Sequence, residues 1–108
     1  MKLVKLNEMA EKEIVPGYHA RFVHSDNVTL AYWNIEEGKD LPKHAHLHEQ
    51  VTNLIEGRFE LTVDDESKVL EAGSVVVIPP NTMHSAKALT SCRIIDVFYP
   101  IRTDYIEK

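Results

Sequence analysis

Apolar and polar residues alternate along much of this chain with a period of two. The cleanest case runs from Arg58 to Val63. Phe59, Leu61 and Val63 fall on one face there, and Arg58, Glu60 and Thr62 on the other. Gly57 before the run and Asp64-Asp65-Glu66-Ser67 after it mark turns. Thr29 to Ile35 alternates more weakly but is rich in β-forming residues, and Arg93 to Tyr99 reads as a last clear strand. Val75 to Ile78 is a continuous β-branched run, the pattern of a strand buried on both faces, and Pro79-Pro80-Asn81 ends it. Only Leu6 to Ile14 reads as a short helix, on a weak pattern. Many short strands broken by turns predict an all-β sandwich or barrel. Closure into a barrel would also remove exposed strand edges.

Composition narrows the picture. A chain of 108 residues, 44% hydrophobic and 27% charged, has the length and balance of one soluble domain, residues 1–108, with a core of its own. The longest apolar run is the short segment Val75 to Ile78, and charges interrupt the N-terminal MKLVKLNEMAEKEIV. Neither a membrane span nor a signal-peptide core is expected. Cys92 is the one cysteine, which excludes an internal disulfide and fits a reducing cytoplasm, with Cys92 as a small buried hydrophobe. The net charge is −5 and no Lys or Arg cluster offsets it, so no nucleic-acid partner is expected. An anionic ligand would need a local cation or a metal to hold it.

The candidate chemistry lies in KHAHLHEQV, Lys43 to Val51. On a strand, side chains at i and i+2 share a face with Cα atoms about 6.6 Å apart, so His44 and His46 can converge on one ion. His48 would lie about 13 Å from His44, too far to join them unless the chain bends. Spacing alone leaves an H-x-H pair open between ligands and surface histidines.

The surroundings are more specific. Gly38, five residues, His44-Ala45-His46, three residues, Gln50, six residues and Gly57 form one spaced pattern, over about residues 38–57. Gly73, five residues, Pro79-Pro80-Asn81, two residues and His84 form a second, over about residues 73–88. Together they resemble the two motifs of the cupin family. The resemblance implies a single-domain jelly-roll β-barrel, commonly a homodimer, with one divalent transition metal inside. The implied ligands are His44, His46, Gln50 and His84, and His48 has no counterpart. The metal could be nickel, zinc, manganese or iron.

Three departures stand out. Gln50 occupies the position where the family has Glu, and Glu49 is displaced by one, which on a strand turns it to the opposite face. Asn81 replaces a motif glycine, a mild change because Asn tolerates positive φ. Ala88 replaces the terminal Asn. Three imidazoles and an amide are neutral ligands, so a divalent ion among them would keep its full formal charge and attract an anion. Such a set also differs from the carboxylate-containing triad of non-haem iron oxygenases.

Near the C-terminus, IIDVFYPIRTDY places Asp96, Phe98 and Arg102 at one parity. A carboxylate inside a strand is costly unless it is paired or lines a polar cavity, and the residues alone leave both open. On the same footing Arg102 reads as a solvated charge, and Phe98 as either core or pocket wall. Gln50 combined with D-V-F-x-P-x-R after the last strand is similar to the KdgF-like cupins of pectin and alginate breakdown. Those proteins open 4,5-unsaturated monouronates to linear keto-deoxyuronates. The resemblance implies that Asp96, Phe98 and Arg102 line the pocket. Asp96 would relay protons, Arg102 would clamp a carboxylate through two parallel bonds, and Phe98 would wall the sugar ring. The expected partner is a small anionic sugar. Ala86 and Ala88 share the parity of His84 and are expected to leave room for that ring. The alternatives are another metal-dependent cupin enzyme, a dioxygenase or isomerase, or a non-catalytic cupin that binds a sugar or metabolite.

Overall fold

The computed structural model describes residues 1–106. The strands are Lys12–Val15 (β1), Tyr18–His24 (β2), Thr29–Ile35 (β3), Asp40–His44 (β4), Glu49–Glu56 (β5), Phe59–Val63 (β6), Glu66–Leu70 (β7), Val75–Ile78 (β8), His84–Ala88 (β9) and Cys92–Tyr99 (β10). A single helical turn, Thr103–Ile106 (α1), follows them. They form a six-stranded sheet, ordered β1-β2-β3-β10-β5-β8, facing a four-stranded sheet ordered β4-β9-β6-β7. Every pairing is antiparallel.

The alternation seen in the sequence becomes burial. Tyr18, Ala20 and Phe22 of β2, Ala31, Trp33 and Ile35 of β3, and Ile94 and Phe98 of β10 point inward, against Phe59 and Leu61 of β6. Cys92 is buried and free, as expected of a small hydrophobe. Leu54, essentially inaccessible on β5, illustrates the energetics: truncating such a side chain to Ala costs about 2–5 kcal/mol through lost transfer energy and the cavity left behind.

Four expectations need correction. The sheets are not closed into a barrel, because β1, β8, β4 and β7 each have a single neighbour. The strand Val75–Ile78 is not buried on both faces: it is an edge strand whose Val75 and Val77 are each 59% exposed on the outer side of the larger sheet. The helix expected over Leu6 to Ile14 reduces to one 3-10 turn, Leu6–Glu8, without a side-chain cap. Lys12 to Val15 instead pairs with β2, so sheet pairing overrides a weak helical pattern. The turn after β6 is only Asp64-Asp65, since Glu66 and Ser67 already belong to β7.

Gly57, between β5 and β6, has φ +97°, and a Cβ there would lie 2.3 Å from the Ser91 carbonyl oxygen. Both conformation and space require glycine at this turn.

Candidate metal centre

Antiparallel pairing of β4 with β9 sets His44 directly opposite His84, past a register shift between Leu41 and His44. The sequence puts His44 and His46 on one strand, but β4 ends at His44 and the following bend carries His46 round. Convergence survives this difference. The ring centroids lie 4.2 Å (His44–His84), 5.0 Å (His46–His84) and 5.6 Å (His44–His46) apart. One nitrogen from each ring falls within 4.8 Å of the others, close enough to hold one ion. Asn81, at φ 60° as its residue type allows, donates its backbone N–H to the His46 carbonyl at 2.7 Å and ties the second motif to the first. His48 lies on the same bend but outside this trio.

Each ring's Nδ1 faces a backbone carbonyl: Pro42 for His44 (2.8 Å), His48 for His46 (3.0 Å) and Thr82 for His84 (2.9 Å). Donation from Nδ1–H fixes the tautomer and leaves the Nε2 lone pair free, the state a metal ligand needs. Burial favours the neutral form of two of the rings: it is the main cause pushing His46 down to about 4, and it lowers His84 as well.

Gln50, on β5, points inward, whereas Glu49 is exposed on the other face and cannot substitute for it. The Gln50 Oε1 lies 3.0 Å from His46 Nε2, and its Nε2 donates to Thr52 Oγ1 at 3.0 Å. Two features fit a cation. His84 Nε2 is buried without a partner. A neutral His46 has one N–H for two acceptors, the His48 carbonyl and Gln50 Oε1. With the carbonyl taking that proton, two lone pairs face each other across 3.0 Å. A divalent ion held by His44, His46, His84 and Gln50 would relieve both.

These groups open onto a cavity of about 230 Å³ whose walls also include Asp96, Phe98 and Arg102. Asp96 on β10 sits opposite Thr52 of β5 and Ala31 of β3 and forms no ion pair among the described residues. It therefore lines a cavity rather than closing a structural salt bridge. Burial pushes its carboxyl up to about 6, against Thr52, Gln50 and Trp33 groups near enough to favour the charge and against Arg102. Its Oδ1 and the Trp33 Nε1 nevertheless lack partners of full hydrogen-bond geometry.

Arg102 is 7% exposed, so the solvated charge its local sequence alone indicates is wrong. Its backbone N–H bonds Thr29 Oγ1 at 2.9 Å, and its guanidinium is stacked on Phe98 (4.7 Å) and Tyr105 (4.1 Å). Its Nε and Nη2 already donate to the two carboxylate oxygens of Asp104, at 3.0 and 2.8 Å. The two parallel bonds expected for a ligand are thus occupied within the protein, and the other guanidinium N–H groups remain. Ala86 and Ala88 do not line the cavity; both are buried in the core, with Ala86 opposite Leu41 and Leu61.

Sequence reasoning missed Thr52, Trp33, Asp104 and Tyr105. Thr52 was within reach, being two residues beyond Gln50 on the same strand face. The contacts of the other three depend on how β3 and the C-terminal turn pack, which local sequence does not encode.

The family model described as Cupin domain matches residues 31–98, well over half of the chain. The chain belongs to the cupin family. Its two open antiparallel sheets are a cupin jelly roll. The cupin is 27% identical over 84 residues to the pectin degradation protein KdgF of Dickeya dadantii, covering 76% of each chain. Its fold superimposes on the structure of KdgF from a Halomonas species with a TM-score of 0.92 and 27% identity, covering 98% of this cupin and 99% of that chain. A further relative, named H2HPP isomerase, from Bacillus subtilis, is 25% identical over 100 residues, 90% of this cupin but only 42% of that protein.

Proposed function

We propose that this cupin is a metal-dependent enzyme that opens and ketonises 4,5-unsaturated monouronates from pectin or alginate breakdown, giving linear keto-deoxyuronates. The observation that carries the reading is one cavity that gathers three imidazoles, among them the partnerless His84 Nε2, and the Gln50 amide oxygen beside a buried carboxyl and an arginine. The KdgF similarities support it. The reading also includes a homodimer in the cytoplasm.

His44, His46, His84 and Gln50 would hold nickel, zinc, manganese or iron. Bound there, the ion supplies a positive charge that draws substrate oxygens and steadies enolate charge. The remaining work falls to the chain. Arg102 attracts the substrate carboxylate through the N–H groups that Asp104 leaves free. Phe98, edge-on to His46 at 5.7 Å, walls the ring. The Asp96 carboxylate takes the proton from the hemiacetal hydroxyl. The C1 carbonyl forms, the bond from C1 to the ring oxygen breaks, and its electron pair leaves an enolate on that oxygen. Asp96, now the carboxylic acid, returns the proton to C4 and the ketone results. One proton leaves oxygen and one reaches carbon, so the conversion is an isomerisation. A carboxyl near 6 serves both roles at neutral pH, because neither protonation state is far out of reach.

One observation favours a second reading, an isomerase of a less hydroxylated ring acid. Much of the cavity lining is apolar, and Ile14, Val15, Leu41, Phe59 and Leu61 offer no hydrogen bonds to sugar hydroxyls. Incubation with unsaturated galacturonate separates the two. Metal-dependent loss of the conjugated chromophore, faster than the spontaneous rate, is the expected result; an unchanged rate with metal bound would favour the second reading. Oxygen consumption would point to a dioxygenase.

A further inference from the structure

We propose that Thr52 is a positioning residue that selects which end of the Gln50 amide faces the metal-holding histidines. The inference rests on the metal-centre reading above.

A glutamate at position 50 would present an oxygen whichever way it turned. A glutamine does not. Its two ends have nearly the same shape, but only the carbonyl oxygen can ligate a metal, whereas an NH2 group would donate to the His46 Nε2 lone pair and block the site. Something must decide between the two orientations.

Thr52 has the position to do so. It follows Gln50 by two residues on β5, faces the same side and is 2% exposed, so water does not compete for its hydroxyl. Its Oγ1 accepts from Gln50 Nε2 at 3.0 Å. The single hydroxyl proton is then left to donate, and the residue directly across the β5–β10 pair is Asp96. A carboxylate accepts and never donates. With Asp96 as the carboxylate, its resting form in the proposed reaction, the chain has one consistent direction: Gln50 donates to Thr52, and Thr52 donates toward Asp96. The Gln50 oxygen is left pointing at His46, where it lies 3.0 Å from Nε2. Reversing the amide would turn the hydroxyl proton toward Gln50 and away from a buried carboxylate, which is unfavourable.

The test is titration of the metal-free protein with Zn²⁺, followed by calorimetry, with a thermal melt of each variant to verify folding. Thr52→Val keeps the shape but removes the hydroxyl. It is expected to weaken Zn²⁺ binding by about 10-fold or more, the scale of lost supporting hydrogen bonds, while Thr52→Ser stays within about threefold of the parent. In a Gln50→Glu background Thr52→Val should change affinity by less than about threefold, because a carboxylate needs no orienting. Equal losses in both backgrounds would reduce Thr52 to a packing residue and overturn the proposal, as would a folded Thr52→Val that binds like the parent. Thr52→Ala gives the same comparison should valine fail to fold. His84→Ala separates the two levels of inference. If it binds Zn²⁺ normally, the metal-centre reading fails; if it loses Zn²⁺ while Thr52→Val does not, only the role of Thr52 fails.

Discussion

Among the described residues of this cupin, two clusters bring three metal-capable side chains together, and they differ in what their lone pairs are doing. His44, His46 and His84 lie half-buried or buried at the cavity, with each Nδ1 on a backbone carbonyl. Glu13, His19 and Glu36 lie at the surface, where His19 Nε2 is 2.8 Å from Glu36 and 3.7 Å from Glu13. Burial lowers His46 and His84, whereas the bond to Glu36 raises His19. The surface cluster satisfies itself as a solvated ion pair of small energetic weight. The inner one leaves the buried His84 Nε2 without a partner. Proximity of ligand types is common; the partnerless His84 Nε2, buried beside two other imidazoles, is what fits the inner cluster to a cation.

The largest effect expected from breaking this contrast is on metal content. His84→Ala should lower affinity by more than the roughly 10–100-fold that loss of an outer-shell partner costs. Replacing Glu13, His19 and Glu36 together by Ala, or His48 alone, should leave one ion per chain by elemental analysis. Next comes catalysis. Asp96→Asn should reduce kcat on unsaturated galacturonate by about 10²-fold or more at saturating metal, the range for a general acid–base group. Substrate capture should shift less. Arg102→Lys keeps the charge but loses the planar fork and should raise KM. Asp104→Asn, which loosens the internal hold on that fork, should lower KM in the same steady-state assay.

The smallest effects are titrations. In the metal-free protein, NMR should find His19 titrating above the ordinary histidine value of about 6.5 and His46 well below it. The two signs have opposite consequences. A raised His19 favours the fold at low pH, and that contribution is lost as pH rises through its folded value. A lowered His46 lets the unfolded chain take up the proton first, so stability falls as pH drops from about 6.5 toward 4. Two coincident titrations would remove the physical distinction between the clusters.

The strands were legible where one face meets the core, as in Phe59 to Val63, because burial imposes period two. Val75 to Ile78 misled because a β-branched run at an edge and one at the centre look alike locally; only the pairing partner β5 distinguishes them. The spacing of both histidine motifs pointed to the residues that meet at the cavity. The bend that carries His46 inward and the Asp104 carboxylate on Arg102 were not legible, since each depends on contacts made by the folded chain.

The most direct measurement is the anomalous difference map of a crystal grown with Zn²⁺. The account predicts one strong peak about 2.0–2.2 Å from the Nε2 atoms of His44, His46 and His84 and from Gln50 Oε1. A peak only among Glu13, His19 and Glu36, or one that takes in His48 and leaves Gln50 unbound, would contradict it.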